Sequence, residues 1–175
     1  MNKIGIILGR MQPFHNGHIW LIEQALYECD EVYVFVGSAD KLNERNPYPI
    51  EDRINFVNNY FNVINSLVKI IPLNDLTNED DINVNWGNYL YEQITKNIKK
   101  DNFILYTSEN ENFMKSWFSE DILNKIDIKY KYRSFGISAT AIRLAIAEKD
   151  FDFVSKYVPK NVLNYLKERE KTKWF

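Results

Sequence analysis

Apolar residues along the chain fall into two kinds of spacing. Short runs that are almost wholly apolar, Ile4 to Leu8, Glu31 to Gly37, Leu67 to Leu73 and Asn102 to Ser108, suit strands buried on both faces, since a strand with one wet face would alternate. Pro72 marks the point where the third run leaves its ladder. Between the runs, apolar positions recur at helical spacing. Ile19, Leu21, Ile22, Ala25 and Leu26 form one stripe, and Ile54, Phe56, Val57, Tyr60 and Phe61 form a second behind Pro49, Glu51 and Asp52. Ile82, Trp86, Tyr89, Leu90, Ile94 and Ile98 form a third. Ile128 to Arg133 (IKYKYR) alternates and predicts a fifth strand at an edge. Phe151 to Tyr157 and Asn161 to Lys167, parted by Pro159, predict a helical tail over 151–175. Strand, helix, strand in succession is a right-handed parallel crossover, so the chain reads as an α/β fold in a single domain, 1–175.

Two stretches interrupt this pattern with polar chemistry. The first follows the opening strand and reads GRMQPFHNGH, from Gly9 to His18. A strand that runs into a glycine and proline turn and then opens a helix aims backbone N–H groups above the sheet, which favours an anion. The two histidines of the chain, His15 and His18, both lie here, and residues three apart share a helix face. Protein-only metal ligation fits poorly, because Cys29 is about three turns away and no acidic residue lies between the histidines. A helix start that merely carries two polar rings is the plainer alternative. Polarisation of phosphate oxygens fits best, with Arg10 alongside.

The second stretch is Gly136 to Arg143. Gly136 permits an unusual backbone angle, Ser138 can cap a helix, and Thr140 and Arg143 fall in its first turns. Taken alone it could be an ordinary capped helix with a surface arginine. Gly37-Ser38-Ala39 closes the second strand in a tight turn at the same carboxyl edge. Two anion sites from opposite ends of the chain converge only where strand order reverses, which predicts a five-stranded sheet ordered 3-2-1-4-5.

Composition narrows the function classes. The 175 residues carry a net charge of -2 with scattered basic positions, so a duplex nucleic-acid footprint is not expected. One cysteine excludes a disulfide framework and suits a reducing compartment. Absence of a leader-like segment and of any run of membrane-spanning length predicts a cytoplasmic protein that does not engage a membrane.

The stretch GRMQPFHNGH resembles the signature of the HxGH nucleotidyltransferase superfamily, and its form GR-x-x-P-F-H-x-GH is similar to that of nicotinamide mononucleotide adenylyltransferases of the archaeal type. Met11 stands where that family usually has an aromatic residue, a departure expected to alter packing beneath the turn. Ile137-Ser138-Ala139-Thr140-Ala141-Ile142-Arg143 resembles the superfamily's second motif, I-S-x-T-x-x-R. Asn46-Pro47 followed by Glu51-Asp52-Arg53 resembles the segment after the family's second strand. Trp86 matches the tryptophan against which a nicotinamide ring packs, while Asp75 and Asn83 match the polar groups around that ring. Family members carry basic residues soon after the fourth strand. Here Glu109 and Glu111 come early and Lys115 late, so Phe113, Trp117 and Phe118 read as packing.

The resemblance implies a Rossmann-like HxGH nucleotidyltransferase fold and transfer of an adenylyl group from ATP to nicotinamide mononucleotide, giving NAD and pyrophosphate. His15, His18, Arg10 and Arg143 are the expected catalytic residues. Gly9, Met11, Gln12, Pro13, Phe14 and Gly17 would frame the phosphates from the first motif, and Ile137, Ser138 and Thr140 from the second. Gly37, Ser38, Arg45, Asn46 and Arg53 would follow the second strand, and Asp75, Asn83 and Trp86 the pyridine. Mg²⁺ is expected as a bridge among phosphates and water, with no protein metal ligand. Another adenylyl- or cytidylyltransferase of the superfamily with a different acceptor is the alternative, and a non-catalytic nucleotide sensor is a remoter one. The motifs leave open the choice between nicotinamide and nicotinate mononucleotide, and also homo-oligomerisation.

Overall fold

The computed structural model of the chain describes residues 2–64, 66–76, 84–132 and 136–172. The apolar runs become strands β1 (Ile4–Gly9), β2 (Glu31–Val36), β3 (Val68–Pro72) and β4 (Phe103–Thr107), joined at the edge by β5 (Ile126–Tyr130). They form one parallel sheet in the order β3-β2-β1-β4-β5, as expected. β1 lies between β2 and β4, with Ile7 opposite both Val34 and Tyr106.

Because side chains alternate along a strand, each run feeds two cores. Ile7, Val32, Val34, Val36, Ile104 and Tyr106 face one layer of helices, and Ile4, Ile6, Tyr33, Phe35, Phe103 and Leu105 face the other. The first layer is built from α1 (Asn16–Glu28), α2 (Ile50–Tyr60), α6 (Ala139–Ala147), α7 (Phe151–Ser155) and α8 (Lys160–Thr172). Val154, Val162 and Leu166 place the last two in that core. The second layer holds α3 (Val84–Asn97), α4 (Glu111–Lys115) and α5 (Glu120–Leu123), with Trp86, Leu90, Ile94 and Met114 inside.

Two expectations are corrected. The fifth strand begins at Ile126, two residues early, because Ile126 and Ile128 supply its buried face, and it ends at Tyr130 as Tyr132 becomes largely exposed. Arg133, part of the expected strand, lies outside the described residues. Gly136 takes no left-handed φ. Ser138 starts α6 from an extended conformation and accepts the Ala141 N–H at 3.1 Å, so the turn needs no such residue. Among the described residues, the left-handed positions are Met11, Ser38, Asn102 and Lys149.

One packing contact fixes the second layer near the carboxyl edge. The Gly87 N–H, in the first described turn of α3, donates to the Trp117 carbonyl at 3.1 Å. A Cβ on Gly87 would sit 2.0 Å from that oxygen. Gly87→Ala is therefore expected to cost roughly 1–3 kcal/mol or more, as overpacking against backbone does. Urea denaturation measures it, and a change under 0.5 kcal/mol would contradict this packing.

Candidate active site

The first site element is the start of α1. His15 is its N-cap: the imidazole Nδ1 accepts the Gly17 N–H at 3.0 Å, and the His15 N–H donates back to His18 Nδ1 at 3.2 Å. This is a capping box with imidazoles in place of a hydroxyl and a carboxylate. The rings stack with centroids 3.8 Å apart, and Phe14, fully buried, lies nearly parallel to His18 at 5.9 Å. A ring nitrogen that accepts an N–H carries no proton itself, so each neutral imidazole keeps its proton on Nε2. Both rings therefore present a donor away from the helix.

The second element ties the two ends of the sequence together. Arg143 Nη1 donates to the Gln12 carbonyl at 2.7 Å, and Nη2 to Thr140 Oγ1 at 3.2 Å. Burial draws its pKa below the usual arginine value. The buried Gln12 amide grips the Tyr48 backbone from both sides, donating to its carbonyl at 3.1 Å and accepting its N–H at 3.0 Å. One residue of the first turn thus links α6 to the loop before α2.

A third element lies beneath. Arg53 is fully buried, and its Nη1 donates to the Arg10 carbonyl at 2.9 Å and the Gly37 carbonyl at 2.8 Å, while Nη2 reaches the Ser38 carbonyl at 3.0 Å. Desolvation lowers its pKa. Met11 and Ser38, at φ 54° and 51°, are strained left-handed residues of the two turns. Arg53 gathers the carbonyls beside both.

Above these turns, at the carboxyl ends of β1, β2 and β4, opens a cavity of about 570 Å³, well within the size of small-molecule sites. His15, His18, Arg10, Ser138 and Arg143 line it, as do the neighbouring Trp86 and Trp117. The two indoles are 5.5 Å apart and inclined at 56°. Among the described residues, no group of three or more His, Cys, Asp or Glu could hold a metal ion, and no helix is long and apolar enough to cross a membrane.

The sequence pattern described as cytidylyltransferase-like matches residues 6–145, which include both motifs, β2 to β5 and most of β1. The chain belongs to the cytidylyltransferase-like family. It is similar to the nicotinamide-nucleotide adenylyltransferase of Methanococcus aeolicus, 34% identical over 86 residues that cover 49% of this chain and 48% of that one. It also resembles the enzyme of that name from Thermococcus onnurineus, 26% identical over 96% of this chain and 84% of the relative. The match to the first of these thus spans less than half of the relative's own length. Among solved structures, a bifunctional NMN adenylyltransferase/ADP ribose pyrophosphatase from Francisella tularensis, complexed with AMP and a manganese ion, shares the fold. Its TM-score is 0.76 at 23% identity, over 98% of this chain and 50% of that one.

Within this cytidylyltransferase-like frame, the expected site residues separate into two layers. Gly9, Arg10, Met11, Gln12, Gly17 and the two histidines line the cavity, as do Gly37, Ser38, Arg45, Asp75 and Trp86, and Ile137, Ser138, Thr140 and Arg143 from the far end. Pro13, Phe14, Asn46 and Arg53 do not. Phe14 and Arg53 support the turns from below, and the buried Asn46 shapes its own loop by donating to Asn43 Oδ1 at 2.9 and 3.2 Å. Asn83 lies outside the described residues. Met11 is wholly buried, its methyl 3.1 Å from where a Gly9 Cβ would be, so it fills the space under the turn. Trp86 serves two places at once, 9% exposed within the second core and on the cavity wall.

The reading of that aromatic trio as packing holds for Phe118, in the second core, and for Trp117, which packs against it, but is incomplete for Trp117 and Phe113. Phe118 is buried in the core, but the other two line the cavity. The available signal was the indole N–H, which needs a partner when it is not in bulk water. Arg53→Leu is expected to cost about 3 kcal/mol or more, since three buried carbonyls lose their donor, and Arg53→Lys to recover only part, lacking the fork. Thermal and denaturant unfolding check this, and equal stability of Leu and wild type would contradict it.

Proposed function

We propose that this chain transfers the adenylyl group of ATP to nicotinamide mononucleotide, forming NAD and pyrophosphate. The observation that carries the reading is the reciprocal histidine cap, which holds two Nε2–H donors beside a helix N-terminus in a cavity also lined by Arg10 and Arg143. The names of the relatives and both sequence motifs support the choice of substrates. A phosphate oxygen of the mononucleotide attacks the α-phosphorus of ATP in line. The bond to the bridging oxygen breaks, and pyrophosphate leaves with the electron pair. The attacking oxygen is already anionic, so no general base is needed. His15, His18, Arg10 and Arg143 stabilise charge on the α-phosphoryl and leaving oxygens, and the rest of catalysis is positioning.

Trp86 and Trp117 offer aromatic faces for the pyridine, and stacking on such a face is worth roughly 1–3 kcal/mol per base in nucleic-acid sites. The described residues provide no metal cage, so Mg²⁺ would enter with ATP, held by phosphate oxygens and water. The free Cys29 suits the reducing cytoplasm in which such an enzyme would work.

Incubation of the purified protein with ATP, Mg²⁺ and nicotinamide mononucleotide is expected to release NAD and pyrophosphate in equal amounts. Turnover only with CTP, or with another phosphate acceptor, would replace this assignment. Capping and catalysis can be separated at the histidines. His15→Asn and His18→Gln keep side chains suited to a helix start but lose the imidazole Nε2–H. Each is expected to lower kcat by roughly 10²- to 10³-fold with stability within about 1 kcal/mol of wild type. Near-normal turnover in folded variants would remove the histidines from the reaction.

A further inference from the structure

The last helix reaches across the fold to the loop that precedes α2. Arg169, near the end of α8, could serve its own helix by facing the last carbonyls, but its guanidinium is engaged elsewhere. Nη2 donates to the Pro47 carbonyl at 2.7 Å, 122 residues away in sequence, and the guanidinium carbon lies 5.4 Å from the centre of the Tyr48 ring. Nη1 donates to Tyr165 Oη at 2.9 Å, and that hydroxyl donates to Asp52 Oδ2 at 2.6 Å. The Tyr165 ring meets Tyr48 edge-on at 6.1 Å and Phe56 at 5.0 Å. Two residues of α8 thus hold the loop at Pro47 and Tyr48, and the first turn of α2 at Asp52.

Tyr48 is where this hold meets the site. Gln12 takes both of its backbone groups, and the Gln12 carbonyl in turn receives Arg143 Nη1. A continuous set of contacts therefore runs from Arg169 through Tyr48 and Gln12 to Arg143. Packing supplies little of this link. A second cavity, of about 360 Å³, opens between α6, α8 and the loop, with Arg143 and Leu144 on one side and Tyr48, Leu166 and Arg169 on the others. A gap of this size removes the close contacts by which neighbouring side chains would otherwise fix one another. Thr140 and Arg143 border this gap as well as the larger cavity, so the Arg143 guanidinium depends on its tethers for its place.

We propose that Arg169 is a positioning residue for the transfer reaction, setting Arg143 through Tyr48 and Gln12, and that α8 therefore belongs to the framework of the site as well as covering the sheet. This rests on the reading of Arg143 as a stabiliser of phosphoryl charge, and adds a residue outside both motifs on which that role depends.

The test compares kcat and KM for ATP and nicotinamide mononucleotide, with Mg²⁺, in wild type, Arg169→Met and Val162→Ala. Arg169→Met keeps the stem of the side chain and loses the fork. Its kcat is expected to fall by about tenfold, with the KM for the mononucleotide within about twofold of wild type, and its Tyr48 amide to exchange hydrogen faster. Val162→Ala weakens the core contact of the same helix near its start and is expected to leave kcat unchanged. In an Arg143→Ala background, Arg169→Met is expected to cost less than about twofold more, since a residue that acts through Arg143 has nothing left to position. Tyr165→Phe keeps the ring contacts but loses the hydroxyl, and is expected to lower kcat by about threefold. It carries the test if Arg169→Met does not fold. Normal kcat in the folded variants, an equal loss in Val162→Ala, or the full tenfold loss in the Arg143→Ala background would overturn the positioning role while leaving adenylyl transfer in place. No turnover by wild type would overturn both.

Discussion

The N–H groups that open α1 have no carbonyl to bond within the helix, and the structure answers that need with imidazoles. Much of the polar site follows from this. His15 accepts a helix N–H at one ring nitrogen and returns its own backbone N–H to His18, so neither ring can rotate without unpairing a buried group. The same bonds decide which nitrogen keeps its proton. The spacing of three that looks like a ligand pair is therefore first the spacing of a capping box, and the chemistry is built on the cap. Backbone donors, helix dipole and two imidazole N–H groups converge on one place above β1, which is the condition for binding phosphate.

Holding that arrangement requires turns that the backbone does not favour. Met11 and Ser38 sit in left-handed conformations, and the loops that carry them would be mobile if nothing collected their carbonyls. Arg53 collects three from below, and Arg143 takes the Gln12 carbonyl from the far end of the chain. One guanidinium is sealed in the protein and the other borders the cavity. Arg143 is thus fixed by the framework before any ligand arrives, which limits reorganisation during a reaction that gathers charge.

Sheet order and both motifs were legible because strands buried on both faces leave unbroken apolar runs, and because a turn rich in glycine and proline between strand and helix has few other uses. The end of β5 was not legible, since IKYKYR goes on alternating after the ladder stops at Tyr130. The roles of Asn46 and Arg53 were only half legible. Sequence places them near the cleft, but whether a polar side chain points into it or into the backbone beneath depends on tertiary contacts that no local pattern encodes. Trp117 packs as read, but its place on the cavity wall was missed for a related reason. It lies on no helical stripe, and its place beside Trp86 is set by the Gly87 N–H bonding its carbonyl across 30 residues.

The central claim is that the histidine cap fixes both rings with Nδ1 as acceptor and Nε2 protonated. Nitrogen-15 NMR of the imidazoles at a pH where they are neutral reads this directly, because protonated and bare ring nitrogens differ widely in shift. His15 and His18 are expected to show the Nε2–H tautomer alone, with and without ATP. A dominant Nδ1–H tautomer at either residue, or free exchange between the two, would contradict the cap and with it the donor geometry on which the proposed phosphate chemistry depends.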